Sequence, residues 1–172
     1  MILRDDLCYL RKLTRADFDL TWEWINRPEI LLAMGLQGPI NKESHRRWFE
    51  RLDGATDKTV FAICLSQDDA HIGNLCLDQI DHRHGNARLA IFIADPVHRG
   101  LGVGSAAVRL LLGHAFTDMK LHRVYLKTTA GSDQLAAFYR QLGFMFEGRM
   151  REHEYLGGRY VDKDIFGILK SE

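Results

Sequence analysis

DPVHRGLGVGSAAV, residues 95–108, places Gly100, Gly102 and Gly104 within five positions. An apolar, β-rich run precedes it, ARLAIFI at residues 87–93, and a stretch with helical spacing follows from about Val103 to Thr117. The glycines therefore stand where a strand hands over to a helix. The first turn of a helix carries unpaired N–H groups and a partial positive charge, so it holds an anion wherever side chains do not keep the anion away. Glycine removes that obstruction and permits the φ > 0 geometry that turns successive amides into one concavity. The same cluster also serves as a tight turn packed against a sheet, and the spacing alone does not separate the two. Two phosphate loops are excluded. A Walker loop needs Gly-Lys-Ser/Thr, whereas Gly104 is followed by Ser-Ala-Ala. A Rossmann fingerprint needs a further glycine and an acid at the end of the next strand, which here reads YLKTT.

On either side of the glycines the chain alternates. LTRADFDLTWEWINRP opens with Thr14 three residues before Asp17, a capping-box spacing, and carries Phe18, Trp22 and Ile25 at helical intervals up to Pro28. NKESHRRWFERL predicts a second helix with Asn41 as its cap. TVFAICL, HIGNLCLDQI and ARLAIFI read as an antiparallel meander. RVYLKTT reads as a strand, SDQLAAFYRQLG as a helix ending at Gly143, and residues 144–156 and 159–169 as strands joined at Gly157-Gly158. The expected fold is mixed α/β, one domain over residues 1–172, with about six or seven mostly antiparallel strands and about four helices.

Composition narrows the function. The 23 Lys+Arg equal the 23 Asp+Glu, so no basic field draws the chain to nucleic acid or an anionic membrane. Apolar runs fall short of the ~20 residues that span a bilayer, and charges interrupt the N-terminal segment, so a cytoplasmic protein is expected. Cys8, Cys64 and Cys76 are odd in number and without CxxC, which suits buried thiols. No metal site is expected: His82 and His84 lack a partner cluster. His114 falls on the inner side of its helix with Val103, Ala107 and Leu110, as a hydrogen-bonded core histidine does.

PVHRGLGVGSAAV resembles the Arg/Gln-x-x-Gly-x-Gly acetyl-CoA loop of the GCN5-related N-acetyltransferases (GNAT), and AAFYRQLGFMFEG is similar to that family's second signature. The element order agrees over nearly the whole chain. GGRYVDKDIFGIL is similar to the branch that modifies ribosomal-protein N-termini and related amines. The resemblance implies transfer of acetyl from acetyl-CoA to an amine by direct attack, in a cleft where the strand before the loop splays from its parallel neighbour. It implies that backbone groups of Phe92, Ile93 and Ala94 hold the pantetheine. It places the diphosphate on the amides of Arg99, Gly100, Leu101, Gly102, Val103, Gly104 and Ser105. Tyr139 matches the family's proton donor to the departing thiolate, with Phe138 beside it. Ser132 stands where the family has Asn, as helix cap or as a shorter cofactor contact. Dimers are common in the family.

For the proton leaving the amine, Asp78, Asp81, Glu152, His153, His82, His84 and ordered water are all candidates, and no spacing separates them. The acceptor is expected among the first two helices, the loop RPEILLAMGLQGPI and the last hairpin, with Met34, Trp24 and Asp78 as contacts. An apolar loop flanked by Trp22, Trp24 and Trp48 suits a stackable acceptor. The pattern resembles nucleotide-linked amino-sugar acetyltransferases. N-terminal or other small amines, and a non-catalytic CoA-binding module of the same fold, are the alternatives. The absence of an acidic cluster in the loop argues against a polyamine.

Overall fold

A computed structural model describes residues 2–172. The elements run β1 (Ile2–Arg4), β2 (Cys8–Lys12), α1 (Phe18–Ile25), α2 (Pro28–Ala33), α3 (Lys42–Glu50), β3 (Thr59–Leu65), β4 (His71–Asp81), β5 (Asn86–Ile93), α4 (Val103–Thr117), β6 (Arg123–Thr129), α5 (Asp133–Gln141), β7 (Met145–Leu156) and β8 (Arg159–Leu169). One eight-stranded sheet has the order β1-β2-β3-β4-β5-β6-β8-β7. Every neighbour is antiparallel except β5 and β6.

The mixed α/β fold matches the sequence-based expectation, with eight strands instead of six or seven and five α-helices instead of about four. The added strands are the N-terminal hairpin, whose turn is stabilised by Asp5 Oδ1 accepting from Leu7 and Cys8 N–H. The added helix is α2. Pro28 was read as a stop, yet it occupies the first turn of α2, where its missing N–H costs nothing. The cap at Asn41 is as expected: its Oδ1 accepts from Ser44 N–H at 2.8 Å. Gly157 and Gly158 both take positive φ at the turn between β7 and β8.

Strand alternation divides the molecule. Leu75, Leu77, Ala87 and Leu89 enter the main core with Ala107, Val108 and Leu111 of α4 and Tyr139 and Leu142 of α5. Trp24, Ile30 and Ala94 form a smaller cluster under α1 and α2. His114 behaves as expected in its surroundings: its ring packs edge-on against Phe61 and Nδ1 lies 2.7 Å from Asp118 Oδ2. Cys8 and Cys64 are buried and Cys76 is half-buried. Burial pushes the Cys8 thiol up to about 12 and the Cys76 thiol up to about 11, so both stay protonated and unreactive at neutral pH.

The feature that positions the site is the β5–β6 ladder. It holds for three pairs, Asn86↔Arg123, Ala87↔Val124 and Arg88↔Tyr125. Beyond them β5 stays paired to β4 as far as Ile93↔Gly73, and β6 to β8 as far as Thr129↔Lys163. The two parallel strands diverge, leaving an open gap in the middle of the sheet. Gly73 fixes one wall of it, since a Cβ there would overlap the Phe92 carbonyl oxygen and approach the Ile93 Cα at 3.0 Å. Gly73→Ala is expected to push the end of β5 off β4 at a cost of about 2 kcal/mol. That corresponds to a fall in Tm of roughly 4–8 °C for a chain of this size, read by thermal denaturation.

Candidate active site

The gap opens toward the glycine-rich loop. Asp95 Oδ1 accepts from Val97 N–H at 3.0 Å, starting a single turn at Pro96–His98. Arg99 then sends Nε and Nη2 back to the Ile93 carbonyl at 3.1 and 2.8 Å, tying the loop to the end of β5. Gly100 and Gly102 adopt φ of +76° and +83°, the left-handed region that favours glycine. Gly102 is the residue that begins α4, and the first i→i−4 bond runs from Ala106 N–H to its carbonyl at 3.0 Å. The amides of Val103, Gly104 and Ser105 precede that bond and have no acceptor within the helix. The structure thus gathers residues 99–105 at the mouth of the gap. Leu7 of the N-terminal hairpin supports the loop from below, close to Gly102.

The expected backbone trio is divided. Phe92 and Ile93 lie on the diverging part of β5, while Ala94 donates its N–H to Ile72 O at 2.8 Å and its carbonyl accepts from Arg27 Nη1 at 3.2 Å. The Ala94 N–H is therefore committed to β4, outside the gap. Phe138 of α5 reaches over the first turn of α4, its ring 3.8 Å from where a Gly104 Cβ would stand. Next to it, Tyr139 is buried against Phe138, Phe144 and Phe166. Burial pushes its hydroxyl up to about 12, so the phenol keeps its proton at neutral pH. Ser132 caps α5, its Oγ accepting from Leu135 N–H at 3.3 Å.

On the opposite face of β5, under α1 to α3, lies a cavity of about 400 Å³. Met34 and Asp78, two of the expected acceptor contacts, line it. Trp24 does not: it is core, with its ring edge-on to His71 and Phe92. Trp22, half-exposed, donates Nε1–H to the Ile40 carbonyl at 2.9 Å and so braces the loop that roofs the cavity. Trp48 is the tryptophan that lines the cavity. That loop reaches β7, where Gln37 Nε2 donates to Tyr155 O at 3.1 Å.

The other proposed proton acceptors are scattered. Asp81 pairs with His84 at the exposed β4–β5 turn, His82 lies 3.0 Å from Thr56 O, and Glu152 and His153 are exposed on β7.

Among the lining residues that the sequence did not point to are His45, Asn74, Arg88 and Lys58. Burial holds the His45 imidazole below its ordinary pKa and hence uncharged at neutral pH. Its Nε2 lies 3.1 Å from Thr21 Oγ1, which is itself 2.8 Å from Asp17 O and 3.1 Å from Phe18 O. Asn74 belongs to a chain that begins at α1. Arg11 makes two 2.7 Å bonds to the Asp17 carboxylate, Thr14 N–H makes a third at 2.7 Å, and His71 bridges Asp17 Oδ1 to Asn74 Oδ1 at 3.1 and 2.9 Å. Burial alone would raise the Asp17 carboxyl, but the hydrogen bonds from Arg11 and Thr14 outweigh it and hold the group well below the usual carboxylate range.

With these positions in view, comparison with known proteins is informative. The sequence profile of the acetyltransferase (GNAT) domain matches residues 8–145. The uncharacterized N-acetyltransferase p20 of Bacillus licheniformis is 27% identical over 168 residues, covering 95% of this chain and 93% of that protein. The spermidine N(1)-acetyltransferase of Vibrio cholerae is 33% identical over 101 residues, covering 59% of this chain and 58% of that protein. The crystal structure of a V. cholerae spermidine N-acetyltransferase in complex with CoA and spermine superposes with a TM-score of 0.90, at 24% identity and 97% and 98% coverage of the two chains.

The Asp17 network carries a pH signature. A carboxyl held low in the folded chain stabilises it above the unfolded value near pH 4, and the contribution is lost as pH falls through the folded value. Asp17→Asn is expected to cost about 2 kcal/mol at pH 7, and the difference from the parent chain should narrow at pH 3, measured by urea denaturation. From the profile match over most of its length, the chain belongs to the GNAT acetyltransferase family and is an acetyl-CoA-dependent N-acetyltransferase.

Proposed function

We propose that the chain moves the acetyl group of acetyl-CoA onto a small primary amine, which reaches the thioester from the cavity under α1 to α3. The observation that carries this reading is the interrupted β5–β6 ladder beside the bare first turn of α4. Unpaired strand groups accept an extended guest as an added strand, and here the guest is the pantetheine arm, laid along Phe92 and Ile93. The amides of residues 99–105 take the diphosphate. Ala94 contributes packing under α2, and Ser132 contributes its cap.

In this scheme β5 separates the two ligands, with its gap edge toward the cosubstrate and the side chains of Arg88, Ala90 and Phe92 toward the acceptor. The backbone of β5 polarises the thioester carbonyl, and Tyr139 gives its proton to the departing sulfur. Its raised pKa keeps that proton in place until it is needed. His45, held uncharged by burial, is the cavity group available to take the proton from the amine, since both Asp78 oxygens are bonded to Arg88.

A cavity of about 400 Å³ encloses a small amine, whereas a nucleotide-linked hexose would leave its nucleotide in solvent. Similarity to spermidine acetyltransferases also favours a small amine. Acetyl-CoA is expected to raise the Tm of the chain. Tyr139→Phe is expected to lower kcat by about 10²-fold with CoA binding unchanged, followed by thiol release with an amine panel. An unaffected rate removes Tyr139 from the chemistry, and absence of turnover with every amine, in a chain that binds acetyl-CoA, favours the non-catalytic module.

A further inference from the structure

The cavity floor holds three charges. Asp78 and Arg88 are directly opposed across β4 and β5, joined by Nε–Oδ1 and Nη2–Oδ2 bonds of 2.8 and 2.7 Å. Lys58, at the start of β3, stands 4.0 Å from the same carboxylate. Among the described residues no other charged side chain lines the cavity, so one carboxylate faces two cations and the lining is positive by one unit. The bonds to Asp78 use Nε and Nη2 of Arg88, and among the described residues Nη1 has no hydrogen-bond partner. The Arg88 and Lys58 side chains are each 32% exposed and both line the cavity, Lys58 at its edge, where it also borders the surface beside the α3–β3 loop.

This is the wrong charge for a polyamine, whose second ammonium would meet two cations and a carboxylate already engaged. We propose that the acceptor is an amine that also carries an anionic group, carboxylate or phosphate, held by Arg88 Nη1 and Lys58 Nζ. The inference rests on the acetyl transfer proposed above and names the acceptor class for that site.

Geometry sets the spacing. Arg88 marks the last paired rung of β5 and β6, while Ala90 and Phe92 lie beside the gap, two and four residues further along the strand. At the rise of a β-strand that places the reacting amine about 7–13 Å from the anion. α-Amino acids are too short, and ω-amino acids and sugar phosphates have the required reach. The ring of Trp48, stacked on His45, also lines the cavity.

Matched acceptors test the proposal: 6-aminohexanoate against hexylamine, 4-(aminomethyl)benzoate against benzylamine, and glucosamine 6-phosphate against glucosamine, with spermidine alongside. The anionic member of at least one pair is expected to have kcat/KM more than tenfold higher, mainly through KM. Whether the carboxylate pairs or the phosphate pair shows the advantage identifies the anion. Lys58→Met should raise KM for the anionic member alone, and Lys58→Glu should shift preference toward the anion-free partner. Equal or better turnover of the anion-free members, or spermidine as the best acceptor, overturns the anion proposal and leaves acetyl transfer to a small amine standing. No acetylation of any amine by a chain whose Tm rises with acetyl-CoA overturns both.

Discussion

Two parallel strands in the middle of the sheet separate after three pairs, and most of the molecule either causes that separation or uses it. Backbone N–H and C=O groups in a sheet interior are obligatory hydrogen-bonding groups, so a ladder that stops leaves a row of them seeking a partner. β5 cannot close the gap because β4 holds it: Gly73 lets the strands approach, and Arg99 pins the carbonyl of Ile93. β6 is held from the other side along its whole length by β8. The crossover through α4 leaves from the diverging end of β5 and delivers its own unpaired amides to the same mouth. One opening thus presents strand edge to an amide-bearing chain and helix N-terminus to an anion. Acetyl-CoA has both features.

In the proposed reaction the second ligand enters from the opposite face, and side-chain alternation along β5 makes this possible. Leu89 and Ala87 point into the α4–α5 core while Arg88, Ala90 and Phe92 point under α1 to α3. The N-terminal helices are held over that face by polar contacts as well as by the Trp24–Ile30–Ala94 cluster. Trp22 and Asn26 grip the Ile40 carbonyl, and Asp17 links the start of α1 through His71 to Asn74 at the cavity wall. A buried network of this kind keeps one arrangement only when every member is satisfied, which makes it a means of setting cavity shape.

How much of this was legible follows from the physics of each element. The glycines of residues 100–104, the caps at Asn41 and Ser132, and the hairpin at Gly157-Gly158 are local signals, set by backbone conformation within a few residues, and they were readable. The β1–β2 hairpin is short and carries Arg4, Asp5 and Asp6, so its apolar pattern is too brief to stand out. Pro28 was ambiguous because proline ends one helix and begins another with the same chemistry. The cavity was the least legible part. His45 lies on α3, Lys58 just before β3, Asn74 on β4 and Arg88 on β5, and only the packing of α3 over the sheet and the register of β3, β4 and β5 bring them together. Trp24 and Trp48 have the same intrinsic preference for burial, and helix packing, not residue type, sends one to the core and the other to the cavity.

The most direct test of the interrupted ladder as the cosubstrate site is amide hydrogen exchange with and without acetyl-CoA. The account predicts that protection rises at residues 89–93 of β5 and 103–105 of α4, with little change along β1, β2 and β7. Protection confined to other segments, or none at β5 while acetyl-CoA is bound, would contradict it.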